Sequence, residues 1–235
     1  MADPILELRN VVAGYGDTHI VQDVSLAVPA GQRLAILGRN GVGKTTTLAT
    51  VMGQTRLHSG KVLIGGERVE ALPSHVRSRM GLGLVPQTRD IFPSLNVEEN
   101  LIVGQRKGKT IDEAYALFPR LKERRFNPGG KLSGGEQQML SIARTLMGAP
   151  KLLMLDEPLE GLSPVICEML MDAFQKLAQS GETTIILVEQ HTDLALEFAE
   201  RVVVLEQGSI VLDRTASELI QQSDLLDRYV GLSLT

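Results

Sequence analysis

A chain of 235 residues is long enough to bury one full core, so we expect a single folded domain of α/β size and no disorder. Its net charge of −4 and the lack of a long basic run disfavour nucleic-acid binding through a broad positive face. The chain has a single cysteine, Cys167, which excludes an internal disulfide. The first residues lack a signal-peptide pattern, and no apolar run approaches the ~20 residues of a membrane helix. We therefore expect a soluble protein of a reducing cytosol.

Two strands with alternating hydrophobic residues are predicted at the start of the chain. They cover residues 5–13 and 18–28, and residues 14–17 form a turn that exposes Tyr15. Taken alone, Tyr15 fits two roles equally well: a ring that stacks on adenine, or a half-buried surface ring.

A phosphate-binding loop follows the next predicted strand, residues 33–37, and leads into a helical pattern that runs to Met52. The loop matches G-x-x-x-x-G-K-[ST], and its residues are Gly38, Arg39, Asn40, Gly41, Val42, Gly43, Lys44, Thr45 and Thr46. Backbone N–H groups of such a loop surround a polyphosphate, Lys44 supplies charge to the β and γ oxygens, and Thr45 offers a hydroxyl to Mg²⁺. The alternative, a glycine-rich turn with an incidental lysine, is disfavoured by the full match between strand and helix. The sequence therefore predicts a nucleoside triphosphate site.

Gln87 is predicted to lie at the end of a strand. A short strand at 61–65 and a helix at 73–80 come first, and a strand at 82–86 then delivers Gln87. A glutamine in this position could reach a metal ion or a water molecule. Without other polar groups nearby, the preferred interpretation is an exposed loop amide.

The segment at 88–131 changes character, because helices are predicted at 97–105 and 110–117 and no strand pattern interrupts them. We interpret it as a helical insertion. The apolar loop at 91–95 could dock a partner or anchor the insertion to the core.

A second glycine-rich helix start comes next, before a helix predicted at 137–147: Leu132-Ser133-Gly134-Gly135-Glu136. A helix N-terminus of this kind binds anions, and one domain rarely needs two for one nucleotide. It could serve the nucleotide of a neighbouring subunit. Alternatively, Ser133 is simply an N-cap.

A continuous apolar run at 151–155 is typical of a central parallel strand and ends in Asp156 and Glu157. Ligands of α/β folds bind at this edge of the sheet. Asp156 is placed to hold Mg²⁺, and Glu157 to accept a proton from the water that attacks the γ-phosphate. A solvated acidic pair is the disfavoured alternative. The remaining predicted elements are helices at 164–179, 192–199, 216–222 and 224–230 and strands at 183–188, 201–205 and 209–212.

These motifs, in this order, resemble the ATP-binding subunits of ABC transporters over nearly the whole chain, and LSGGE is the most specific of them. The likeness is greatest to ATPase subunits of bacterial branched-chain amino acid importers; urea importers share much of it, and aromatic-acid importers are a further possibility. The resemblance implies an α/β P-loop NTPase with a mostly parallel core sheet, an N-terminal antiparallel β subdomain and an inserted helical subdomain. It would form one ATPase domain over 1–235, with its core at 1–87 and 132–235 and the insertion at approximately 88–131.

The resemblance also implies roles for residues. Tyr15 would stack on the adenine of ATP, the loop from Gly38 to Thr45 would hold the phosphates, and Glu157 would be the general base. The ligands of Mg²⁺ would be Thr45, Gln87 and Asp156. The LSGGE motif, the signature motif of the family, would face a second subunit. It would contact the γ-phosphate of the ATP bound to that subunit through Ser133, Gly134, Gly135 and Glu136.

The partners implied by the resemblance are a second ATPase subunit, as a homodimer or with a paralogue, and membrane permease subunits. A periplasmic binding protein would act indirectly, no nucleic acid would be bound, and the location would be cytoplasmic, peripheral on the inner face of the cell membrane. A soluble ABC ATPase of DNA repair or translation would carry a long coiled coil or two ATPase domains, which this sequence lacks. A regulatory module without turnover is disfavoured by Lys44 and Glu157.

The chain departs from the widest family pattern at two positions. Gln190 stands at the switch position usually held by histidine, with His191 one residue later, and Ser163 stands where an aspartate is common. The sequence leaves open whether Gln190 or His191 polarises the γ-phosphate, although the alignment favours Gln190.

Overall fold

The computed structural model describes residues 4–181, 183–222 and 224–225. Its strands are β1 (Pro4–Tyr15), β2 (Thr18–Pro29), β3 (Arg33–Leu37), β4 (Arg56–Ile64), β5 (Glu67–Arg68), β6 (Leu82–Val85), β7 (Leu152–Asp156), β8 (Thr184–Val188), β9 (Arg201–Glu206) and β10 (Ser209–Thr215). Its α-helices are α1 (Lys44–Val51), α2 (Ser74–Arg79), α3 (Val97–Gly104), α4 (Ile111–Leu117), α5 (Pro119–Glu123), α6 (Gly134–Leu146), α7 (Pro164–Gln179), α8 (Thr192–Phe198) and α9 (Ala216–Gln221).

A six-stranded sheet in the order β10-β9-β3-β8-β7-β6 forms the centre of the fold. Its strands are parallel except β10, which runs antiparallel to β9. All residues of β7 and β8 are buried, in agreement with their unbroken apolar sequences. Because β3, β8, β7 and β6 are neighbours, the residues that follow each of them meet at one edge of the sheet.

A smaller antiparallel sheet, β2-β1-β4-β5, is built from the first part of the chain. The pairing of β1 with β2 continues to Tyr15 and Thr18, so their turn is shorter than the predicted four residues. Strand β4 begins at Arg56, five residues before the predicted start, because Leu57 and Ser59 pair with β1. That pairing is long-range and leaves no periodic signal in the local sequence.

Three short helices, α3 to α5, lie between β6 and β7 and pack against α6. Their contact with the core buries Leu101, Phe118 and Leu121 completely. Helix α5 was not predicted; it begins at Pro119, a residue favoured in the first turn. Helix α6 starts at Gly134, earlier than predicted, and the predicted helix at 224–230 lies almost entirely outside the described residues.

Candidate active site

The phosphate-binding loop joins β3 to α1 and contains glycines with positive φ angles. Gly38 has φ 148°, and a Cβ atom there would lie 2.4 Å from the carbonyl oxygen of Leu205 on β9. A side chain at this position would push the loop away from the sheet. Gly41 also has a positive φ, of 80°. Backbone angles of this kind let successive N–H groups converge on one anion, as the binding of a polyphosphate requires.

Lys44 lies inside this loop rather than in solvent, with only 4% of its side chain exposed. Its Nζ atom donates to the carbonyl oxygen of Gly38 at 2.7 Å and to that of Arg39 at 3.1 Å. The same ammonium group pairs with Oε1 of Glu157 at 3.2 Å. The structure thus joins two predicted site residues that are more than a hundred positions apart in sequence.

Two cavities open beside the loop and share Asn40 and Glu157. The first, of 380 Å³, is lined by Ile20, Asn40, Gly41, Gly43, Lys44, Thr45, Thr46, Gln87 and Glu157. The second, of 430 Å³, is lined by Gly38, Arg39, Asn40, Glu157, Glu160, Glu189, Gln190 and His191. Each has the volume of a small-ligand site. Ile20, Glu160 and Glu189 were not predicted, because only the folded sheet brings them to the loop.

Asp156 and Thr45 form a pair of oxygen ligands suited to Mg²⁺. Thr45 Oγ1 donates to Asp156 Oδ1 at 3.2 Å, and Asp156 is 3% exposed. Burial raises the pKa of Asp156 above its usual range, against the opposing effects of the Thr45 hydroxyl and the Lys44 charge. Carboxylate, hydroxyl and amide oxygens are the protein ligands that Mg²⁺ prefers, and together with Gln87 this set fits that ion.

Glu157 contacts three other predicted site residues, one of them Lys44. Its Oε2 atom accepts from Nε2 of Gln190 at 2.8 Å and from Nε2 of Gln87 at 3.3 Å. Its backbone lies in the left-handed region, with φ 47°, and its N–H donates to the carbonyl oxygen of Val188 at 2.9 Å. A non-glycine residue in that conformation is uncommon and is often found at functional sites.

The two candidates for the switch position differ in their surroundings. Gln190 contacts Glu157, whereas His191 is exposed at the N-cap of α8 and makes no side-chain hydrogen bond as a cap. Glu189, just before them, is buried and accepts from the backbone N–H groups of Leu159 and Gln190, both at 3.1 Å. Its burial raises the pKa of this carboxyl above the usual range, although these hydrogen bonds act in the opposite direction.

The signature motif at the start of α6 is organised by a capping box. Ser133 N donates to Glu136 Oε2 at 2.9 Å, and Glu136 N donates to Ser133 Oγ at 3.3 Å. Burial favours a raised pKa for Glu136, but hydrogen bonds from Ser133 and the charges of Arg124 and Arg120 hold this pKa below its usual range. The motif lines neither cavity beside the phosphate loop.

Tyr15 also lies outside the lining of both cavities. It ends β1 with 51% of its surface exposed, so the predicted exposed aromatic is present.

The phosphate loop, the paired acids and the capped signature helix define an ATP-binding domain. Residues 21–160 match the ABC transporter family, and the chain belongs to that family. It is an ATPase with the predicted P-loop α/β fold. Of the described residues, none forms a helix that is long and apolar enough to cross a membrane.

Proteins with known names resemble the chain over nearly its whole length. It is 40% identical to the high-affinity branched-chain amino acid transport ATP-binding protein BraG of Pseudomonas aeruginosa, across 97% of this chain and 100% of that protein. It is 38% identical to the probable branched-chain amino acid transport ATP-binding protein LivF of Archaeoglobus fulgidus, across 94% and 96%. The lipopolysaccharide export protein LptB of Haemophilus influenzae is 32% identical across 97% of both chains.

Solved structures share the fold. One of them, cbiO1 of Clostridium perfringens, is described as part of the ABC transporter complex cbiONQ; it superposes with a TM-score of 0.82 at 26% identity, over 99% of this chain and 96% of that one. A dimeric ATP-binding cassette bound to ADP and Pi has a TM-score of 0.80 at 24% identity, over 90% and 98%, and shows the likeness of fold alone.

Proposed function

We propose that the chain is the ATP-hydrolysing subunit of a bacterial importer for branched-chain amino acids. The observation that carries the proposal is the likeness, over nearly the full length of both proteins, to two subunits named for branched-chain amino acid transport. The subunit would work on the cytoplasmic side of the membrane, bound to permease subunits. A periplasmic binding protein would deliver the amino acid to those permeases and would act on this chain only indirectly.

In the proposed reaction, ATP would supply the γ-phosphoryl group, and Mg²⁺, when bound, would neutralise charge on the phosphate oxygens. Lys44 would exchange its ion pair with Glu157 for phosphate oxygens, which leaves the Glu157 carboxylate free to accept a proton from the attacking water. Gln190, already 2.8 Å from that carboxylate, would orient the water. Thr45, Asp156 and Gln87 would hold the metal ion.

The proposed active unit is a head-to-tail dimer of this chain or a pair with a paralogue. The reason is that the signature motif forms the capped N-terminus of α6, a feature that binds anions in other proteins. The motif lines neither cavity of its own subunit. Residues 133–136 would therefore face the γ-phosphate on the second subunit. We further propose that residues 88–131 form the insertion that carries the permease contacts, between core segments 1–87 and 132–235.

The transport proposal is tested by reconstitution with the proposed permease subunits. Proteoliposomes that contain ATP should take up leucine when the cognate binding protein is added, and Lys44→Ala should abolish uptake without preventing assembly. Uptake of urea or of an aromatic acid in place of leucine would contradict the substrate assignment. Hydrolysis without any permease dependence would contradict the transport role.

A further inference from the structure

The amide of Gln87 is held by two carboxylates at the nucleotide site. Its Nε2 atom donates to Oε2 of Glu160 at 2.5 Å and to Oε2 of Glu157 at 3.3 Å. Glu160 is exposed, and Gln87 is the only side chain bonded to its carboxylate in the described part of the chain. The contact joins the loop that follows β6 to the loop that follows β7.

This contact determines which atom of the Gln87 amide is available to a metal ion. An amide has one oxygen that can bind a cation and one NH₂ group that cannot. With Nε2 bonded to carboxylates, Oε1 is the amide atom left to bind a cation. Without an acceptor for Nε2, the amide could turn over and present its NH₂ group instead.

Glu160 is better suited than Glu157 to fix this orientation. Glu157 already accepts from Gln190 through the same oxygen and pairs with Lys44 through the other. As the proposed base it also takes up a proton during each turnover, which weakens it as an acceptor. Glu160 has no competing partner among the described side chains, and its bond to Gln87 is the shorter one.

We propose that Glu160 is a positioning residue that orients the Gln87 amide so that Oε1 serves Mg²⁺. This inference rests on the proposed function, in which Gln87 is a metal ligand. Glu160 would act through Gln87 and would not itself contact the nucleotide or the metal ion. It is therefore expected to alter metal-dependent binding and to leave metal-free binding unchanged.

The test compares ATP affinity in Mg²⁺ and in EDTA, measured by calorimetry on the purified chain. In Glu160→Ala, the gain in affinity that Mg²⁺ confers should fall roughly 10-fold, as is typical for groups that orient metal ligands, and the affinity in EDTA should not change. Glu160→Gln keeps an acceptor oxygen and should recover most of the gain. Glu197→Ala, which removes an exposed glutamate of α8, is the matched control.

A double-mutant cycle separates this inference from the function on which it rests. Gln87→Ala should lower the Mg²⁺ gain, and adding Glu160→Ala should lower it no further. If Gln87→Ala has the effect and Glu160→Ala does not, or if the two effects add, the role of Glu160 is wrong. If Gln87→Ala leaves the gain intact, the proposed metal ligation by Gln87 is wrong as well. An equal loss in EDTA and Mg²⁺ for Glu160→Ala would also overturn the inference.

Discussion

Lys44 and Glu157 form a buried ion pair across the nucleotide site, with 3.2 Å between Nζ and Oε1 and side chains that are 4% and 7% exposed. Removing one partner of such a pair leaves a buried charge uncompensated, which costs several kcal/mol. In the structure, the charge of each of these two side chains therefore compensates the charge of the other. Phosphate groups that attract Lys44 would release the carboxylate for catalysis.

The first prediction concerns Glu157→Gln. The amide keeps the size of the side chain and an oxygen for Gln190, but it cannot accept a proton, so turnover should fall roughly 10²-fold or more. ATP binding should persist, because Lys44 loses a competitor for the phosphates. Steady-state hydrolysis and equilibrium binding measure the two effects. Near-normal hydrolysis would rule out Glu157 as the base.

The second prediction compares Gln190→Ala with His191→Ala in the assembled transporter. Gln190 donates to Glu157 at 2.8 Å, whereas His191 lies exposed at the start of α8, so the first variant should lose most ATPase activity and the second little. A glutamine amide carries no ionisable proton, so the switch in the wild type should not depend on the protonation of a histidine. The reverse result would assign the switch to His191.

The third prediction concerns the signature helix. Gly135→Asp would add a carboxylate beside the proposed γ-phosphate of the second subunit, where like charges repel. Monomers should still bind ATP but should fail to dimerise in sedimentation with Mg-ATP. Gly135→Ala is the steric control, since a Cβ atom at this position lies 3.1 Å from Cγ2 of Ile166, whose side chain must yield slightly. A Gly135→Asp protein that dimerises and hydrolyses normally would reduce the motif to a helix cap.

The fourth prediction concerns Tyr15, which is 51% exposed. If its ring stacks on the base, Tyr15→Ala should weaken ATP and GTP binding alike, by ~1–3 kcal/mol. Phe126→Ala removes another exposed ring, 68% accessible, and serves as the control. Unchanged affinity by calorimetry would make Tyr15 an ordinary surface residue.

The fifth prediction concerns the pH dependence of stability through Asp156. Because burial raises its pKa in the folded protein, the folded state binds more protons than the unfolded state, and stability falls as pH rises from the unfolded pKa through the raised one. Asp156→Asn removes this effect. The free energy of unfolding of the variant minus that of the wild type should therefore increase as pH rises through that interval. Urea unfolding without nucleotide or Mg²⁺, at several pH values, measures the difference. A constant difference across the interval would contradict the raised pKa.

The sequence alone predicts those features of the site that depend on a short stretch of residues. The phosphate loop, the apolar strand that ends in Asp156, and the capping of α6 by Ser133 each depend on a short stretch of residues and appear in the structure. The sequence does not predict all of the side chains that the sheet brings together at the site. Glu160 and Glu189 reach the site only because β7 and β8 lie side by side.

The contacts of Gln87 illustrate the same limit. Its local sequence alone favours an exposed loop amide, and Gln87 is exposed, yet it donates to two carboxylates about 70 residues away. A single-residue pattern carries no information about such partners. Their arrangement depends on the order of the strands.

The order of the strands also has a consequence for synthesis on the ribosome. The smaller sheet uses only residues 4–68 and can pair early, whereas β3 lies between β8 and β9, whose residues follow it by roughly 150 positions or more. At about 5–20 residues per second, β3 waits on the order of ten seconds for a neighbour on either side. ATP can therefore assist folding as a bound ligand only once translation has passed β8 and β9.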